Sequence, residues 1–493
     1  MHRQFVRGEL YPLLDKLIFA IFVLFLPFAL GSGTKIFGDG DSSWHIAAGH
    51  WILSHRSIPT TDPFSFTMGG QPWVAFEWLA EIIYAAAFDG AGYAGVAAVA
   101  ILAIMSLHFV VFVFLRARVG PIAMLAAFVA MDAILTMFVL ARPHLLAWPI
   151  VAAWTAILID CRDKQRAPPL ALALLMLIWA NLHGSFILGF VIAGAVALDA
   201  LIAAQWSKRA VTGWLTFGLA SIVAALFNAN GIAGFLHPLT VMGLKNLAFI
   251  AEWQPSNPSL SPFFYAVLIG TLAALLAMGK KLALGELLLL LVLLFLAFLQ
   301  VRQQSMLAIV APLILAPRLA PIGRAGASPL FTSLASKQKW LAAAITASVL
   351  IITARLALPL QPTETVANPR TILAHIPSAL RSRPVFNEYS FGGPLILAGI
   401  KPYIDGRSDL YGDAFMADYV QIADGDLVRF DQVVRKYGII WTLLPPKMRL
   451  TKMLDASPQW QRVYADKVGV IHVRRVDYRA RLATVSRSRW PPI

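Results

Sequence analysis

Residues 74–88, VAFEWLAEIIYAAAF, are apolar enough to pass for a membrane span, yet they carry Glu77 and Glu81. How this stretch is read fixes the side of every loop that follows. Counted as a span, it would invert the later loops, and short loops rich in Lys and Arg belong on the cytoplasmic side. Read instead as a helix at the outer interface, it joins Trp44–Ser54 in a first external loop over 34–92. Trp44, Trp51, Trp73 and Trp78 are then expected to anchor that loop among the lipid headgroups.

Of the 493 residues, 58% are hydrophobic and 14% charged, whereas soluble domains carry about 25% charged residues. This composition indicates a polytopic α-helical membrane protein. Apolar runs at 17–33, 93–115, 121–140, 145–159, 169–181, 186–204, 211–227, 263–279, 282–299, 305–317 and 340–360 give about eleven transmembrane helices. Because the runs continue to Leu360, Leu17–Gly33 is expected to be a span and not a removable signal peptide. With Arg3, Arg7 and Lys16 cytoplasmic, Arg116/Arg118, Arg162–Arg166, Lys208/Arg209, Lys280/Lys281 and Arg318–Lys339 fall inside as well. The net charge of +15 thus follows membrane topology and implies no nucleic-acid partner. The single cysteine, Cys161, excludes an intrachain disulfide.

An odd number of spans leaves residues 361–493 outside, as a small α/β domain. Short apolar runs at Pro384–Phe386, Leu395–Leu397, Gly438–Leu444 and Val468–Val473 alternate with turns and a polar helix near Phe430–Tyr437. Gly392-Gly393-Pro394 and Asp405-Gly406 read as turns, and Ala465–Gly469 as a hairpin.

The notable polar residues gather on the outer side. Asp41 and His45 share a helical face if a helix starts near Ser42, although helix capping accounts equally for an Asp at that place. Asp39-Gly40-Asp41 has the spacing of a hard-oxygen pair for Mg or Mn, and equally that of a turn. Arg142, His144, His183 and Arg302 lie at other external helix ends. Each alone reads as a snorkelling or turn residue, and together they can surround one cavity. Glu252-Trp253-Gln254-Pro255 reads as an interfacial anchor.

The stretch Asp41-Ser42-Ser43-Trp44-His45-Ile46-Ala47-Ala48-Gly49 resembles the loop after the first span in integral-membrane glycosyltransferases of the GT-C class, among them protein mannosyltransferases and lipid-A aminoarabinose transferases. It departs from their common Asp-Glu form in having Ser42 after Asp41. Asn387-Glu388-Tyr389, Gly392-Gly393 and the run Tyr403–Gly412 resemble a bacterial membrane-protein group with no substrate assigned.

The resemblance implies a GT-C-like transmembrane domain over 1–360 and a periplasmic α/β domain over 361–493, in a bacterial inner membrane. It also implies transfer of a sugar from a polyprenyl-phosphate donor to an envelope acceptor. Asp41 is then the candidate catalytic base, and Arg302, Arg142, His183 and His144 are candidates for the donor phosphate. Asp39 and His45 would support the site or hold a divalent cation, while Glu77, Tyr389, Asp405, Arg407 and Tyr411 are candidate acceptor contacts. Two other functions are compatible with the chain. A lipid-linked saccharide transporter or flippase would need a polar route through the membrane, and a noncatalytic envelope assembly protein would need only the tail domain.

Overall fold

The computed structural model describes residues 11–320 and 334–475. Arg3, Arg7, most of the basic loop 318–339 and the end of the tail beyond Arg475 lie outside the described residues. The chain enters through α1 (Tyr11–Ser32), wound as a π-helix over Phe19–Phe25. After one 3-10 turn it forms α2 (Asp41–His55), nine of whose fifteen residues are buried. That burial corrects the expected surface helix. Trp44 and Trp73 pack edge to face at 6.4 Å within a cluster that includes Ala47, Ala48 and Ile396, so their rings do not reach the headgroups.

Helix α3 (Trp78–Arg116) runs on from the stretch containing Glu81 into the apolar span that follows it. It is broken at Ala91 and Gly92, where Gly92 takes φ 56° and ψ −142°, a conformation open mainly to glycine. The arm bearing Glu81 packs on α2 and the second arm belongs to the main bundle. There follow α4 (Pro121–Leu135), α5 (Pro143–Asp163), α6 (Leu170–Leu182), α7 (Phe186–Ala203) and α8 (Lys208–Leu226). The bundle closes with α9 (Gly231–Met242), α10 (Pro262–Ala277), α11 (Leu284–Leu299), α12 (Gln304–Leu319) and α13 (Leu334–Ala357). Pro121, Pro143 and Pro262 stand at helix starts, where a missing N–H costs no internal bond.

Each of the eleven expected apolar runs overlaps a helix. Among the described residues, however, six helices are both long and apolar enough to cross a membrane: α1, α3, α5, α7, α8 and Gln338–Ala357. Helix α9 arises inside what the sequence suggests is a plain outer loop. Trp148, Trp154, Trp179, Phe112 and Phe128 fill the bundle core, while Leu219, Leu276, Phe295 and Leu350 face outward, as a lipid-facing surface requires.

The tail holds β1 (Val385–Asn387), α14 (Gly392–Leu397), α15 (Ser408–Ala423), α16 (Leu427–Tyr437), β2 (Trp441–Leu444), α17 (Arg449–Ala456), β3 (Trp460–Ala465) and β4 (Val470–Arg474). The sheet order is β1-β2-β4-β3, with β1 parallel to β2 (Val385 opposite Trp441) and the other pairs antiparallel. Asp466 closes the β3–β4 turn by accepting the N–H groups of Val468 at 2.7 Å and Gly469 at 2.9 Å. Two local expectations change. Gly392-Gly393-Pro394 opens α14 instead of making a turn, and Leu395–Leu397 belongs to that helix and not to a strand.

Candidate functional site

A cavity of about 560 Å³ lies where the starts of α2, α3 and α5, the α6–α7 junction, α9, the segment 250–253, the α11–α12 junction and the tail meet. Asp39, Asp41, His45, Glu77, Arg142, His144, His183, Arg302, Tyr389 and Arg407 all line it. Asp405 and Tyr411 do not.

Asp41 is the first residue of α2, and it is not a side-chain helix cap. Its Oδ2 lies 2.7 Å from Arg142 Nη2, and its Oδ1 accepts the indole N–H of Trp44 at 3.1 Å. The residue that braces the helix start is Asp39, whose Oδ1 accepts the Asp41 N–H at 3.1 Å. Arg142 Nη1 meets Asp39 Oδ2 at 3.3 Å and Glu252 Oε2 at 2.9 Å, so one guanidinium serves three carboxylates. It cannot neutralise them all. Burial raises the Asp39 carboxyl and pushes Asp41 up to about 7; Arg142 opposes both shifts, while the charge of Glu252 adds to them. Burial would raise Glu252 too, but Arg142 and Arg302 together hold it down at about 2.

Glu77 forms a second centre. Burial pushes its carboxyl up to about 8 against the pull of Arg142 and Arg302, so it is mostly protonated at neutral pH. His183 Nε2 lies 3.5 Å from Glu77 Oε1, and His45 Nε2 lies 3.8 Å from Oε2. The His183 tautomer follows from its other nitrogen. Nδ1 accepts the Ser185 N–H at 3.1 Å and pairs with Ser185 Oγ at 2.8 Å, and that hydroxyl accepts the Trp179 indole N–H at 3.0 Å. Nε2 therefore carries the proton toward Glu77. Burial lowers His183 and His45 well below the usual imidazole range, and the charge of Arg142 adds to this in both cases.

These contacts redistribute the roles inferred from sequence. Arg142 is committed to carboxylates and not to a ligand phosphate. His144 donates Nε2–H to the Phe138 carbonyl at 2.9 Å, leaving an acceptor nitrogen that cannot support an anion. Arg302 is different: its guanidinium lies 4.1 Å over the Trp253 ring, and the Glu252 carboxylate is 3.8 Å away. His45 belongs with Glu77 and Glu81, not with the Asp39/Asp41 pair. The donors do not fit a divalent ion in this arrangement. The space facing three carboxylates is taken by Arg142, and among the described residues no group of three His, Cys, Asp or Glu is arranged to hold a metal.

The tail roofs the cavity by close backbone approach. A Cβ on Gly406 would collide with the Asp41 carboxylate, and one on Gly393 with the Gly40 carbonyl. Tyr389 Oη donates to the Gly406 carbonyl at 3.1 Å. Three proposed acceptor contacts are spent on holding this roof. Arg407, 1% exposed, reaches Asp405 Oδ2 and Asp62 Oδ1, each at 2.7 Å, and Tyr411 Oη donates to Asp405 at 2.6 Å. Despite burial, Arg407 keeps the Asp405 carboxyl below its usual range. Glu252 is the residue that sequence reasoning undervalued. Asp409, paired with His237 at 3.2 Å between α15 and α9, also lines the cavity, and nothing in its local sequence marks it.

No family model matches the chain, nor does any curated protein sequence. Solved structures that share its fold include two of an archaeal oligosaccharyltransferase. The Archaeoglobus fulgidus oligosaccharyltransferase AglB, in complex with an inhibitory peptide and a dolichol-phosphate, superposes with a TM-score of 0.51 at 12% identity, covering 86% of this chain and 69% of that one. The Archaeoglobus fulgidus oligosaccharyltransferase in its apo form gives 0.52 at 12% identity, with the same coverage. The likeness shows a GT-C-like membrane-protein fold, to which this chain adds its small C-terminal sheet.

Proposed function

We propose that the protein is a glycosyltransferase that moves a sugar from a polyprenyl-phosphate donor to an envelope acceptor at the outer face of a bacterial inner membrane. The observation that carries this reading is the two-natured cavity. Asp41, Glu77 and Arg302 line it together with Leu188, Val241, Met242 and Leu296, and Met242 is 43% exposed on the surface of α9. An amphiphile with an anionic head and an isoprenoid tail matches both linings, since the tail can stay in contact with lipid while the head meets Arg302. The AglB relative in fold was solved with a dolichol-phosphate, a ligand of that class. Outward orientation is supported by Arg118, Arg162 and Lys164, which lie at the helix ends opposite the cavity.

In the proposed reaction the acceptor hydroxyl oxygen attacks the anomeric carbon while the Asp41 carboxylate takes its proton. The bond from that carbon to the phosphate oxygen breaks, its electron pair leaves with the polyprenyl phosphate, and one displacement inverts the anomeric centre. Arg302 and the Nε2–H of His183 face the charge that develops on the leaving phosphate. Glu77, protonated at neutral pH, donates a hydrogen bond to a substrate hydroxyl.

The test is reconstitution in vesicles with radiolabelled polyprenyl-phosphate sugars and envelope extract. Label should move to an acceptor in wild type and not in Asp41→Asn. Passage of the intact lipid-linked saccharide across the bilayer without transfer would instead establish a transporter, and neither outcome would leave only an assembly role.

A further inference from the structure

We infer that Arg142 is a built-in cation occupying the place that the Asp39-Gly40-Asp41 spacing offers to a divalent metal, so that the outer carboxylates are organised without one. The guanidinium fork divides its two ends between them. Nη2 takes Asp41 Oδ2 at 2.7 Å, and Nη1 takes Glu252 Oε2 at 2.9 Å and Asp39 Oδ2 at 3.3 Å. Three carboxylates gathered around one point repel one another, and the guanidinium between them offsets that repulsion.

The backbone shows that this cation is delivered by the fold. Arg142 N–H bonds the Leu140 carbonyl at 2.8 Å, and the Arg142 carbonyl accepts the Tyr84 hydroxyl at 2.9 Å. Its neighbour Ala141 is pinned at both ends, by Ile36 O at 2.7 Å and by the Ser42 hydroxyl at 2.9 Å. Ser42 and Ile36 flank the aspartate pair in sequence, so the segments carrying cation and anions are bonded to each other. A guanidinium stays charged at any physiological pH and no chelator removes it, which a bound metal cannot match.

The prediction concerns Mn²⁺ binding to the purified full chain, read by electron paramagnetic resonance, and it does not depend on whether the pocket transfers a sugar. Wild type should show no stoichiometric Mn²⁺ site. Arg142→Ala removes the cation and leaves the carboxylates, so it should take up one Mn²⁺ about tenfold or more tightly than wild type, and adding Asp41→Asn should abolish that gain. Arg142→Lys, which keeps the charge, should behave as wild type. If Arg142→Ala fails to fold, Arg142→Gln makes the same test with less lost volume. Stoichiometric Mn²⁺ in wild type that disappears in Asp41→Asn would overturn the inference. So would a folded Arg142→Ala protein that binds no more Mn²⁺ than wild type.

Discussion

Helix α5 carries an ionic cluster at each end, and the two differ in how their carboxylates are enclosed. At its start, Arg142 faces Asp39, Asp41 and Glu252 beside the cavity. Toward its other end Arg162 likewise meets three carboxylates, Glu286 at 2.7 Å, Asp163 at 2.9 Å and Asp199 at 3.6 Å, but these have further donors. Glu286 accepts from Arg162 at 2.7 Å and from Arg318 at 2.8 Å, and it also accepts the Ala283 N–H at 3.1 Å. Asp199 completes that cluster by accepting the N–H groups of Gly285 and Glu286 at the start of α11, at 2.6 Å and 3.1 Å. There the anions are saturated with donors, and none of the residues lines the cavity. The same kinds of side chain make a clasp in one place and a candidate proton acceptor in the other, because Glu286 and Asp199 are closed in by arginines and backbone N–H groups, whereas Asp41 lines the cavity.

The sharpest way to break this contrast is to neutralise one carboxylate in each cluster. Asp41→Asn should lower transfer by about 10²–10⁴-fold, the range of a lost general base, with an unchanged thermal midpoint. If Asp41→Asn were active and Glu77→Gln inactive, the base would be the second carboxylate. Arg302→Ala should raise the KM for donor by about tenfold to a hundredfold, as expected for a lost charge-assisted contact, and initial-rate kinetics against donor concentration would show it. Glu286→Ala should act in the opposite sense, lowering stability by about 1–3 kcal/mol in a thermal melt while leaving transfer per folded molecule intact. Arg318 is 39% exposed and can be rehydrated, which favours the lower part of that range.

The smallest effect is on pH. The Asp41 carboxylate forms only above its raised pKa, so transfer should be weak in acid and rise as pH climbs through about 7. Asp39 is one of the charges that raise it, so Asp39→Asn should move the midpoint of a pH–rate profile to lower pH by less than about one unit. A midpoint that moved upward would mean that Asp39 serves Asp41 as a hydrogen-bond partner and not as a repelling charge.

The membrane class, the positions of the apolar helices and the separation of the Glu81 stretch from the span that follows it were legible because hydropathy and helical period are local properties of the chain. Local too were the helix starting at Asp41 and the β3–β4 hairpin. What the sequence could not decide was which charge meets which. Arg142 and Arg302 look alike as external arginines, yet one is consumed by carboxylates and the other is stacked on Trp253. Asp405, Arg407 and Tyr411 look like binding residues and are the lock that seats the tail over Asp41. Nor does the local pattern around Glu252 reveal that it closes the outer cluster. Hydrophobicity sorts residues into membrane and water one segment at a time, whereas the charge of a buried carboxylate depends on partners from distant segments, and only the folded chain brings those within a few ångströms.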